Sequence, residues 1–187
     1  MVPLSSLWIP ILLSAVIVFV ASSLVHMVLR YHNSDYPELP QQDQVMDALR
    51  PFNLPPGQYM APRAATMAEM KKPEFTEKMK RGPVFMINVF PAGEWRMGSL
   101  MLQWFVFSIV VSIFAAYIAG RTLPPGTDYS QVMRIAGTVA FAGYALGHVP
   151  NSIWYNIKWS TTFKNMFDGL IYGLLTGGTF GWLWPAM

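Results

Sequence analysis

The chain has 187 residues, of which 53% are hydrophobic and 12% charged, about half the charged share of an ordinary soluble domain. With no cysteine, disulfides, zinc–thiolate sites, iron–sulfur clusters and thiol nucleophiles are excluded from within it. A net charge of +3, gathered beside apolar runs and not in a basic stripe with interleaved aromatics, argues against nucleic acid as a partner.

Taken in chain order, the pattern predicts an all-α membrane protein, a four-helix transmembrane bundle with a polar loop of about 65 residues between its first and second helices. Met1–Leu29 contains no Asp, Glu, Lys or Arg, and residues 1–30 are expected to hold the first span. A signal peptide is the lesser reading there. Ala21-Ser22-Ser23 offers small residues for cleavage, but the basic start is missing and the apolar run is too long. Residues 31–96 are expected to face water. Within them, Gln41–Leu49 has Val45, Met46 and Leu49 at helical spacing, and Pro73–Arg81 begins on a proline and stops before Gly82, as short helices do. Val84–Phe90 is β-branched and aromatic and predicts a strand, with Gln58–Ala61 near enough to pair with it.

Residues 97–187 supply the remaining spans, expected at about 98–120, 132–149 and 161–184. The third is expected to end at Pro150-Asn151, and the fourth to start on Thr161 as its N-cap. Counting Lys and Arg on the two sides gives eleven for the long loop plus the third connection, and two, Arg121 and Arg134, for the other side. The long loop is therefore expected in the cytoplasm and both termini in the periplasm. Tyr31, Trp95, Trp154, Tyr155 and Trp159 cluster at one set of span ends, and Trp8, Tyr117, Tyr129, Trp182 and Trp184 at the other, as interfacial aromatics do.

The most specific pattern is a stripe of glycines, Gly169, Gly173, Gly177 and Gly181, recurring every four residues in the fourth span, with Gly143 and Gly147 in the third. Small residues let helix backbones approach closely in lipid. The stripe is expected to mark a crossing of these two helices, or alternatively a contact with a second copy or a larger partner. Leucine at Thr176, one step off the stripe, is expected to be tolerated better than leucine at Gly173.

A polar group is expected where His26, His148, Asn151, Lys164 and Asp168 come to one level, with Lys164 and Asp168 spaced to pair along a helix face. It reads most simply as residues reaching interfacial water. The functional alternatives are an ion relay, a quinone pocket, or haem held between His26 and His148. No nucleophile elbow, phosphate loop, zinc-type His pair or acidic magnesium cluster is present. No enzyme, no metal and no cofactor is expected.

Ala119-Gly-Arg-Thr-Leu-Pro-Pro-Gly-Thr127, Asp168-Gly-Leu-Ile-Tyr172 and Gly178-Thr-Phe-Gly-Trp182 give Trp104–Trp184 a likeness to a group of small multi-pass membrane proteins of bacteria. The resemblance implies a bacterial inner membrane and carries over no activity and no functional residues. The leading expectation is an accessory subunit packed against a larger membrane complex, with an energy-converting, respiratory or photosynthetic one as the candidate type. The alternative is a small oligomeric transporter or channel. A topology reporter inserted between Arg63 and Ala65 should read out as cytoplasmic, and one fused after Met187 as periplasmic; the opposite pattern would overturn the charge count.

Overall fold

The computed structural model describes residues 1–94 and 96–186; the expected interfacial Trp95 lies outside them. The chain divides into two compact units, Met1–Pro37 with Arg96–Met187, and Glu38–Trp95.

The first unit is helical. A 3₁₀ turn at Leu4–Leu7 leads into α1, Trp8–Ser23, which continues as a π-helical stretch, Leu24–Leu29. Pro10 falls in the first turn of α1, where a missing N–H costs nothing. Arg30 ends the helix with a left-handed φ of 53°, and Tyr31–Asp35 forms a 3₁₀ turn.

The second unit opens with α2, Gln42–Leu49, followed by β1, Gly57–Ala61; α3, Met67–Met70; α4, Pro73–Arg81; and β2, Phe85–Val89. The strands pair antiparallel, Gln58 opposite Asn88 and Ala61 opposite Phe85, so the chain is not purely α-helical. Thr66 caps α3 by accepting from Glu69 N–H, and the Glu69 carboxylate accepts from Ala65 N–H, a close variant of the reciprocal capping box.

The first unit resumes with α5, Met97–Thr122; α6, Tyr129–Ala145; a 3₁₀ turn, Leu146–His148; α7, Val149–Tyr155; and α8, Trp159–Trp182. Among the described residues, three helical segments are long and apolar enough to cross a membrane: Leu4–Leu29, Met97–Thr122 and Tyr129–Tyr155. The last runs past Pro150, the expected stop, because the proline sits in the first turn of α7. At the start of α8 the N-cap is Lys158, not Thr161, whose side chain is buried within the helix.

Packing follows side-chain size. Helix α6 packs on α8 and α5, and α1 on α5 and α8. One core layer is built from Val2, Leu7, Ile11, Ala115, Ala116, Ala119, Val132, Ala136 and Phe180. A second layer, of Val18, Val111, Ala140, Tyr144 and Tyr172, carries Trp104 against it. Buried hydroxyls pair between helices: Ser14 with Ser112 at 3.0 Å, and Trp104 Nε1 donates to Ser22 at 2.8 Å.

The glycine stripe of α8 is consumed inside this unit. A Cβ built on Gly177 would lie 2.5 Å from the Met133 carbonyl oxygen and 2.9 Å from Gly137 Cα; one on Gly173 would lie 3.0 Å from the Gly137 carbonyl; one on Gly169, 2.7 Å from Ala145 Cβ; one on Gly181, 2.7 Å from the Tyr129 ring. The stripe marks the α6–α8 crossing. Its partners on α6 differ from those expected, because Gly143 faces Val111 of α5 and a Cβ built on Gly147 would have nothing within 4 Å among the described residues. Gly137 and Ala145 take their place. Thr176 is fully buried, and its hydroxyl has no partner among the described residues, so leucine there would be forced into the core; the exposed Leu174 is the proper off-stripe position.

Alanine at Gly177 gains up to about 1 kcal/mol of helix propensity, but its methyl meets backbone atoms that cannot rotate away. Gly177→Ala should therefore lower stability, by the order of 1–3 kcal/mol typical of overpacking, whereas Gly147→Ala should stay within about 0.5 kcal/mol of the parent. Thermal unfolding in detergent checks both, and equal midpoints for the two variants would refute the crossing.

Candidate functional site: a polar cluster between the first and last helices

Two features of α1's end create the site. The π-helical stretch sets the position of His26, and the left-handed Arg30 breaks the helix so that Tyr31–Asp35 folds back against α8. Single π turns are rare and frequent at functional sites. From the other side, α8 presents Lys164 and, one turn on, Asp168.

Asp168 is the centre. Its side chain is 4% exposed; Tyr31 OH donates to Oδ1, His32 Nε2 lies 2.8 Å from Oδ2, and His26 Nε2 lies 3.9 Å from the same oxygen. The other ring nitrogen of His32, Nδ1, is 2.7 Å from Asp35 Oδ2. Lys164 Nζ uses all three of its donors, reaching Asp35 Oδ1 at 2.7 Å, Ser34 Oγ at 2.7 Å and the Tyr31 carbonyl at 2.8 Å. The His26 and His32 rings lie 4.6 Å apart, tilted by 34°.

The expected constellation is therefore brought together only in part. His26, Lys164 and Asp168 meet. Lys164 pairs with Asp35, and not with Asp168 as its i,i+4 spacing suggested, because the folded-back turn places a second carboxylate nearer to it. His148, half-buried in the turn after α6, makes no hydrogen bond or ion pair among the described residues, so His26 faces Asp168 and His32 instead of a second axial histidine. Sequence reasoning missed His32, Asp35 and Tyr31. The signal was the local Tyr31-His32-Asn33-Ser34-Asp35 run directly after an apolar span.

The electrostatics are closed. A neutral imidazole has one donor and one acceptor nitrogen, and His32 meets a carboxylate on each side. His32 thus sets one ring nitrogen against each of two carboxylates, Asp35 and Asp168. Burial alone would raise the Asp35 carboxyl, but hydrogen bonds from Lys164, His32 and Thr161, with the Lys164 charge, outweigh it and hold Asp35 below the ordinary carboxylate range. Asp128, the N-cap of α6, is held low chiefly by the Ser130 hydroxyl, against its own desolvation.

No protein family, curated protein or solved structure matches the chain.

A carboxyl whose folded pKa is depressed adds stability that is present in full above its unfolded value, ~3.9, and is lost as pH falls through the lower folded value. The parent should thus lose stability on acidification below about pH 4. Asp35→Asn should start lower at neutral pH and fall less steeply, while the contribution of Asp128 cancels in the comparison. Parallel pH profiles of the melting midpoint would show that Asp35 is not paired.

Proposed function

We propose that this protein is a four-span integral protein of the bacterial inner membrane, with both termini periplasmic, that serves as a non-enzymatic accessory subunit of a larger membrane complex. The fourth span is α8. At ~1.5 Å per residue, its 24 residues reach across a hydrocarbon core of about 30 Å. Its outward face is apolar, with Phe163, Phe167, Leu170 and Leu174 exposed at helical spacing, while Asp168, Thr176 and the glycines are turned inward.

The observation that carries the subunit reading is the second unit. None of its described residues is buried, yet Met46, Phe52, Met67 and Met86 stand exposed among its short helices and its single strand pair. A two-stranded ribbon is marginal by itself, and a unit that leaves its large apolar side chains in water lacks the core that would hold it. A protein partner in the cytoplasm supplies that core. The glycine stripe, the expected docking surface, is not available for this role because α6 already covers it.

Native purification of the full chain in mild detergent, followed by mass spectrometry, should recover a stoichiometric partner. Replacing Phe52 and Met67 together by serine should reduce its recovery several-fold while the helical unit melts as in the parent. A chain that always migrates alone would sink the proposal.

A further inference from the structure

We propose that His26, His32 and Asp168 form a binding site for a divalent transition-metal ion at the junction of α1 and α8. One ligand atom from each of the three lies within 4.8 Å of the other two. Two imidazoles and one carboxylate are a nitrogen–oxygen donor set suited to ions such as zinc or iron(II). Metal–ligand bonds of about 2.0–2.1 Å place tetrahedral ligand atoms about 3.3–3.4 Å apart. The 3.9 Å separation of His26 Nε2 from Asp168 Oδ2 and the 2.8 Å separation of His32 Nε2 from the same oxygen bracket that value. Half-ångström shifts of side chains convert one arrangement into the other.

What distinguishes this group from a chance cluster is the shell behind it. A metal-binding histidine almost always donates its second nitrogen to a carboxylate or carbonyl, which fixes tautomer and ring direction. His32 Nδ1 has Asp35 at 2.7 Å, and Asp35 is in turn fixed by Lys164 at 2.7 Å. Tyr31 OH donates to Oδ1 of Asp168, the oxygen that His32 does not meet. The ligand supports are thus in place before any ion arrives. Binding requires His32 Nε2 and Asp168 Oδ2 both to offer lone pairs to the ion. His26, whose side chain is 49% exposed against 14% for His32 and 4% for Asp168, forms the open edge through which an ion enters and where a water completes the coordination.

The chain has three histidines and no cysteine, which makes the test sharp. Full-length protein carrying a non-histidine affinity tag, purified in detergent and stripped by chelator, is titrated with Co²⁺ while its visible d–d absorption is followed, and then with competing Zn²⁺. One ion per chain is expected, displaced by Zn²⁺. His26→Ala, His32→Ala and Asp168→Asn should each weaken binding more than tenfold, and His148→Ala should leave it unchanged. His26 makes no hydrogen bond in the cluster, so His26→Ala in the metal-free state should melt as the parent does, which separates lost binding from lost folding. No saturable absorption, or absorption that survives His26→Ala, overturns the site.

Discussion

The backbone-to-backbone crossing of α6 and α8 is the contact on which the rest of the helical unit depends. In lipid the hydrophobic effect does not draw helices together, and close packing does; here Gly137 of α6 meets Gly173 and Gly177 of α8 with no side chain between them. So tight a contact allows one register. Once it is set, the heights of Lys164 and Asp168 are set too, because both ride on the same rigid helix. Tyr144 and Tyr172, packed edge to face at 5.5 Å with Trp104 beside them, fill the layer where the helices no longer touch backbone to backbone.

The polar cluster shows how a buried carboxylate is made tolerable at this position. An isolated charge taken out of water costs several kcal/mol, and its partners offset this only when geometry satisfies the remaining lone pairs and donors. Asp168 has a partner on each oxygen, Lys164 one for each donor, and His32 one for each nitrogen. All of these partners reach α8 from a single pentapeptide after α1. The break at Arg30 is thus what joins the first helix to the last by chemistry as well as by packing.

Much of this was legible in the residues and some was not. Apolar length located the first two long helices to within a few residues, whereas the third runs on past Pro150 to Tyr155. The strand pair followed from β-branched composition. The glycine stripe announced a close crossing, but its partner positions on α6 did not follow, because Gly143 and Gly147 look equivalent to Gly137 until helix rotation is known. In the cluster, Lys164 and Asp168 were read as a pair from helix periodicity, a local rule that a second carboxylate, Asp35, from a distant segment overrode. His32 was invisible for the same reason, since nothing in sequence order brings residue 32 beside residue 168.

The helix that organises the structure, α8, is not among the three described segments long and apolar enough to cross a membrane. Its glycines, threonines, Lys164 and Asp168 lower its average hydropathy, and averages treat every residue as if lipid met it. Direction matters more. The glycine stripe of α8 faces α6, and Lys164 and Asp168 face the Tyr31–Asp35 turn, while Phe163, Phe167, Leu170 and Leu174 point outward. The crossing with α6 and the cluster with the Tyr31–Asp35 turn are thus the two contacts through which α8 is held in the helical unit.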